Sequence, residues 1–69
     1  MGKLKFAIVG CGRISHKHVE SINADPRAEL VAVCDPIRER TRKYNVPAYA
    51  NYHEMLTKEN IDVVSFCTP

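Results

Sequence analysis

Apolar, β-forming runs at residues 4–9, 30–34 and 61–67, with a very short one at 48–50, are separated by stretches long enough to form a helix and return. Parallel strands need such crossovers, whereas a tight hairpin joins only antiparallel ones. The order strand, helix, strand, helix, strand, helix, strand therefore predicts an α/β fold with a parallel sheet and right-handed crossovers. In a doubly wound (Rossmann-type) sheet the spatial order is 3-2-1-4. Ligands bind in such sheets at the switch point, outside the carboxyl ends of strands 1 and 4. A chain of 69 residues is expected to supply a truncated half of that architecture.

Local signals place the helices. Residues 14–24 form the first, with Ile14, His18 and Ile22 at four-residue spacing along one face. Asp25-Pro26 ends it, because the residue before a proline is pushed out of helical geometry. Residues 36–44 read as a short polar helix with Pro36 at its first position, Glu39 and Lys43 paired, and Asn45 at its terminus. Asn51 caps the third helix, Glu54 stands where a capping box needs an acid, and Tyr52, Met55 and Leu56 make its apolar face.

Composition narrows the function. Apolar residues are 45% and charged residues 26%, the balance of a globular protein. The net charge of +2 is dispersed, which leaves no footprint for nucleic acid or an anionic membrane. The apolar run at 6–9 is far below the roughly 20 residues of a membrane span. It is also shorter than the apolar core of a secretory signal. Phe6 stands where a myristoylation signal needs Ser or Thr. Three cysteines without a Cys-x-x-Cys fit reduced thiols in a cytoplasmic setting. Cys11, Cys34 and Cys67 all fall at carboxyl ends of strands and read as small buried thiols. His16 and His18 diverge on a helix, and no spacing suits zinc, so no metal is expected.

Chemistry concentrates where the first strand meets the first helix, in Gly10-Cys11-Gly12-Arg13-Ile14-Ser15. Gly10 permits a tight turn, and Gly12, lacking a Cβ, lets a diphosphate approach the backbone. The bend between Val9 and Ile14 is expected to offer its amides to that anion, with the helix dipole behind them. Ser15 occupies the third position, where Gly or Ala normally allows close helix–strand packing. Asp35 closes the second strand some twenty-odd residues on, where a carboxylate accepts bonds from the adenosine ribose. It favours NAD over NADP, and nearby Arg38 leaves NADP not excluded.

Duller readings stand beside these. The glycines could serve only a strand–helix turn, and Asp35 only a helix cap, although two carboxylate oxygens can do both tasks.

Phe6-Ala7-Ile8-Val9-Gly10-Cys11-Gly12-Arg13-Ile14, followed by His18, resembles the opening of the glucose–fructose oxidoreductase and inositol dehydrogenase (Gfo/Idh/MocA) family. So do Leu30-Val31-Ala32-Val33-Cys34-Asp35, the stretch 49–56, and Asp62-Val63-Val64-Ser65-Phe66-Cys67-Thr68-Pro69. The resemblance covers essentially the whole chain. It implies an amino-terminal NAD(P)-binding Rossmann domain, continued by a sheet-rich domain that takes sugars or polyols, and hydride exchange at a hydroxyl carbon. By the same resemblance Gly10, Gly12, Arg13 and Ile14 line the pyrophosphate, Asp35 the ribose, and Cys67, Thr68 and Pro69 border the cofactor. His18 takes a structural role. The family's catalytic lysine, in a Glu-Lys-Pro motif after the next strand, falls outside these residues, so no catalytic residue is assigned and the chain alone is expected to be inactive. The string at 10–15 leans towards members acting on sugar-nucleotide uronic acids.

The parent protein is thus expected to be an NAD-dependent oxidoreductase acting on a small-molecule sugar, polyol or sugar nucleotide, with no nucleic acid or membrane partner. A non-catalytic nucleotide-binding or redox-sensing module is the alternative. A Rossmann methyltransferase fits less well, since Ile8, Val9 and Ile14 stand where such enzymes carry an acid and a glycine. The apolar fourth strand would form a bare edge, which predicts a homo-oligomer joined at or near it.

Overall fold

The structure, a computed structural model, describes residues 2–12 and 15–67. β1 (Leu4–Val9) is followed by α1 (Ser15–Ala24), β2 (Ala28–Cys34), α2 (Arg38–Thr41), β3 (Ala48–Tyr49), α3 (Tyr52–Lys58) and β4 (Val63–Phe66). The strands form one sheet in the order β3-β2-β1-β4, and each neighbouring pair is parallel. The predicted order is the observed one.

Both faces of the sheet are covered, so its central residues are apolar on both sides. On the α1 face Ile8, Val19, Ile22, Ala28 and Val33 form a buried cluster with Cys11 and Cys67. On the α3 face Ala7, Ala32 and Cys34 pack with Met55, which is completely buried. Asp62 fastens the start of β4. Its N–H donates to the Lys5 carbonyl at 2.8 Å, and its carboxylate accepts the Lys5 N–H at 2.9 Å.

β2 carries a local irregularity that matters for the site. Phe6 lies opposite Leu30, but Ala7 lies opposite Ala32, so Val31 is an extra residue in the register. Strict alternation would put Leu30, Ala32 and Cys34 on one face. Instead Leu30 and Val33 pack on the α1 face, while Val31, Ala32 and Cys34 pack on the α3 face. Asp35, one residue beyond, is thereby turned to the side of the glycine bend.

Four local expectations need correction, in α1, in the extent and pairing of α2, and at Leu56 of α3. In α1 the buried stripe is Ser15, Val19 and Ile22, and His18 is exposed. Apolar Val19 gains more from burial than an imidazole does, so the helix settles rotated from the predicted face. α2 spans only Arg38–Thr41, rather than 36–44. Its entry is consumed by a turn in which Ile37 N–H donates to Asp35 at 2.8 Å. At its end the Thr41 hydroxyl donates back to Arg38 O at 2.7 Å, and Tyr44 N–H reaches Thr41 O in a tighter turn. Glu39 and Lys43 are not among the ion pairs of the described residues; Lys43 Nζ lies 5.2 Å from the Tyr44 ring centroid.

α3 starts as the sequence indicates, with Asn51 Oδ1 accepting Glu54 N–H at 3.1 Å. Its apolar face is Tyr52 and Met55, and Leu56 is exposed. Glu54 turns its carboxylate towards Lys58, 3.3 Å away.

Candidate functional site

β1 runs out at Val9, and Gly10 reverses the chain with φ +90°. That left-handed conformation crowds any Cβ, so the position calls for glycine. Gly10 N–H donates to Cys34 O at 2.8 Å, which extends the β1–β2 pairing into the turn. Cys11 N–H donates to Asp35 Oδ2, also at 2.8 Å and buried. The other carboxylate oxygen, Oδ1, holds Ile37 N–H. Asp35 is 4% exposed, and Arg40 Nη1 lies 3.9 Å from its Oδ2.

The turn therefore differs from the open bend expected of it. Two of its amides are already engaged, because β2 brings both a carbonyl and a carboxylate against it. The Gly12 N–H finds no acceptor among the described residues. A Cβ built on Gly12 would meet nothing within 4 Å, and its φ lies outside the left-handed region. Neither packing nor backbone conformation among the described residues asks for glycine there. Gly12 thus combines open space at its Cβ position with an amide that has no acceptor among the described residues, which leaves room for an anion to approach.

Ser15 opens α1 completely buried, and its hydroxyl is paired. Oγ donates to Gly12 O at 2.7 Å and lies 2.6 Å from the Tyr44 hydroxyl. The departure from Gly or Ala at this position is thus accommodated by two hydrogen bonds.

The thiols near the turn are held neutral. Burial, reinforced by the negative charge of Asp35, pushes Cys11 up to about 11. The same two causes, burial first, raise Cys34. Cys11 Sγ lies 3.8 Å from Cys34 O, and Cys11, Cys34 and Cys67 are all free and buried. A thiol so placed is a poor nucleophile and metal ligand at neutral pH.

Of the predicted site residues, the structure brings Gly10, Gly12 and Asp35 together. Cys67 lies just past the carboxyl end of β4, its N–H donating to Val9 O at 2.8 Å, beside the end of β1 that leads into the glycine turn. Arg38 is exposed at the start of α2. Arg13, Ile14, Thr68 and Pro69 lie outside the described residues. Two residues near the turn went unnoticed in the sequence, Arg40 and Tyr44. Arg40 follows Arg38 by two in a run of basic residues with nothing to single it out. Tyr44 reaches Ser15 across 29 positions, and no local pattern marks it. Among the described residues no group of three or more His, Cys, Asp or Glu could hold a metal ion, and no helix is long and apolar enough to cross a membrane.

The fold and sequence are shared with known proteins. The WlbA dehydrogenase from Bordetella pertussis, solved in complex with NADH and UDP-GlcNAcA, superposes with a TM-score of 0.88 at 35% identity, over 97% of this chain and 22% of that one. The myo-inositol 2-dehydrogenase of Thermotoga maritima is 31% identical over 94% of this chain and 21% of its own length. A glycosyl hydrolase family 109 protein of Parabacteroides distasonis is 34% identical over 99% of this chain and 18% of its own length. The chain thus spans about a fifth of each of these relatives. Residues 4–69 match the family model described as an oxidoreductase family with an NAD-binding Rossmann fold. With its parallel 3-2-1-4 sheet and glycine turn, this chain belongs to that Gfo/Idh/MocA oxidoreductase family.

Proposed function

We propose that this chain is the dinucleotide-binding part of an oxidoreductase acting on a CH–OH group of a sugar, polyol or sugar nucleotide, with NAD as cofactor and NADP not excluded. The observation that carries the reading is Gly12: among the described residues its amide has no acceptor, a Cβ there would meet nothing within 4 Å, and nothing else described requires glycine. Gly10 and Gly12, with Arg13 and Ile14, would hold the diphosphate, and Arg38, Cys67, Thr68 and Pro69 would border the rest of the cofactor. Asp35 gives one oxygen to each of two amides, and each oxygen retains a lone pair for a ribose hydroxyl. When bound, the nicotinamide supplies hydride donation or acceptance. This chain's own residues bind and orient it, and the groups that move protons on the substrate are supplied elsewhere.

The substrate class is supported by relatives whose names specify UDP-GlcNAcA and myo-inositol. A second reading, cleavage of a glycosidic bond, is favoured by the likeness to the glycosyl hydrolase family 109 protein. The protein's three free cysteines fit a reducing cytoplasm, and an exposed β4 fits assembly with further copies.

Titration with NADH, followed by the fluorescence of the dihydronicotinamide, tests the cofactor reading. Saturable binding is expected, weakened about tenfold or more in Gly12→Ala with the melting temperature unchanged. A folded protein that leaves NADH fluorescence and its own NMR spectrum unaltered overturns it. In the full-length protein, NADH formation from NAD+ and a free polyol supports the oxidoreductase. Sugar release from a glycoside with no net NADH supports the hydrolase.

A further inference from the structure

The Ser15 hydroxyl has a single proton, and its two partners fix where that proton goes. Gly12 O can only accept, so at 2.7 Å Ser15 donates to it. At the other contact, 2.6 Å long, Ser15 must therefore accept and Tyr44 donate. The result is a directed chain, Tyr44 O–H to Ser15 Oγ–H to Gly12 O. Ser15 N–H adds a second bond to the same carbonyl at 3.1 Å. Gly12 O is thus held by two bonds, on the residue whose amide has no acceptor among the described residues and whose Cβ position is open.

Tyr44 comes from the segment after α2, where its N–H is tied to Thr41 O and its ring packs against the α1-face core. Lys43 lies over that ring. The opposite end of α2 is tied to the same bend, since Asp35 joins Ile37 N–H to Cys11 N–H. The α2 segment therefore grips the glycine turn at both of its ends. Only the Tyr44 grip passes through the carbonyl of the residue that faces the open space.

We propose that Tyr44 is a positioning residue for the diphosphate of the bound nucleotide, acting through Ser15 on the Gly12 carbonyl. The inference rests on the dinucleotide reading above. It predicts a loss confined to ligands that carry the diphosphate, which a merely structural role would not produce. In Tyr44→Phe the ring and its packing remain, and only the hydrogen bond to Ser15 is removed.

The experiment compares ADP and adenosine binding, by NMR titration, in the wild type, Tyr44→Phe, Ser15→Ala and the double variant. Tyr44→Phe is expected to weaken ADP roughly 3- to 10-fold while changing adenosine less than about twofold. Because Tyr44 acts through Ser15, the double variant should bind ADP no worse than Ser15→Ala. Unchanged ADP binding in Tyr44→Phe overturns this inference and leaves the dinucleotide reading standing. So does an equal loss for both ligands, or additive losses in the double variant. A folded wild type that binds neither ligand overturns the dinucleotide reading, and this inference with it. Should Tyr44→Phe unfold, the ratio of ADP to adenosine affinity in Ser15→Ala decides alone: an unchanged ratio overturns the inference, and a selective loss of ADP supports it.

Discussion

The Asp35 carboxylate accepts the backbone N–H of Cys11 at 2.8 Å, joining the end of β2 to the glycine turn across 24 positions of sequence. With Ile37 N–H on its second oxygen, the buried side chain ties three segments into one unit. Asp35 is first a clamp on the turn, and whatever it does for a ribose is added to that.

Removing the clamp should cost stability. Asp35→Ala strands the buried Cys11 N–H and is expected to destabilise the fold by about 2–3 kcal/mol. Asp35→Asn keeps one acceptor oxygen and should lose roughly half as much. Urea unfolding followed by circular dichroism measures both, and an Asp35→Ala midpoint equal to that of the wild type would remove the clamp from the account.

The two glycines of the turn should separate cleanly. Gly10→Ala places a Cβ on a residue at φ +90° and is expected to destabilise by about 1–2 kcal/mol. Gly12→Ala meets nothing within 4 Å and should stay within about 0.5 kcal/mol of the wild type. Thermal melts of the two variants check this; equal losses would show that Gly12 is needed by the fold itself.

Stability should decline at alkaline pH through Cys11. Its folded-state value of about 11 lies above the ordinary 9.0, so between them the unfolded chain releases a proton that the folded chain keeps. Raising the pH through that window therefore favours unfolding. The contribution is complete below about pH 9 and gone above about 11. Comparing melting temperatures at pH 8 and 10.5 should show a smaller fall in Cys11→Ala than in the wild type. An identical fall in both assigns the effect to other groups.

At the sheet edge, β4 exposes Val63 and Phe66, the latter 60% accessible, with a backbone side paired to no described strand. The 69-residue chain is expected to self-associate there, and Phe66→Lys should shift it towards monomer. Sedimentation equilibrium at high concentration reads this directly, and a monomeric wild type would refute it.

Much of the fold was legible because its signals are local. Residues 4–9 and 30–34 announce strands by composition, Asn51 and Glu54 announce the start of α3, and Gly10 marks a turn that needs φ above zero. α2 misled, because Pro36 and the Glu39–Lys43 spacing describe a helix whose two ends are claimed by distant partners. The Asp35 turn takes its beginning, and the tightened turn before Tyr44, whose hydroxyl reaches Ser15, takes its end.

By itself the sequence determined the order of elements, the parallel sheet and the place of the glycine turn, since periodicity and chain reversal depend on neighbours along the chain. Only the tertiary structure decided which way Asp35 faces and what holds Gly12. The extra residue at Val31 shifts the alternation of β2, and Tyr44 meets Ser15 from 29 positions away. Side-chain parity beyond a bulge depends on the pairing register, and a hydroxyl finds its partner only after the crossover has packed, so neither is written in any local run of residues.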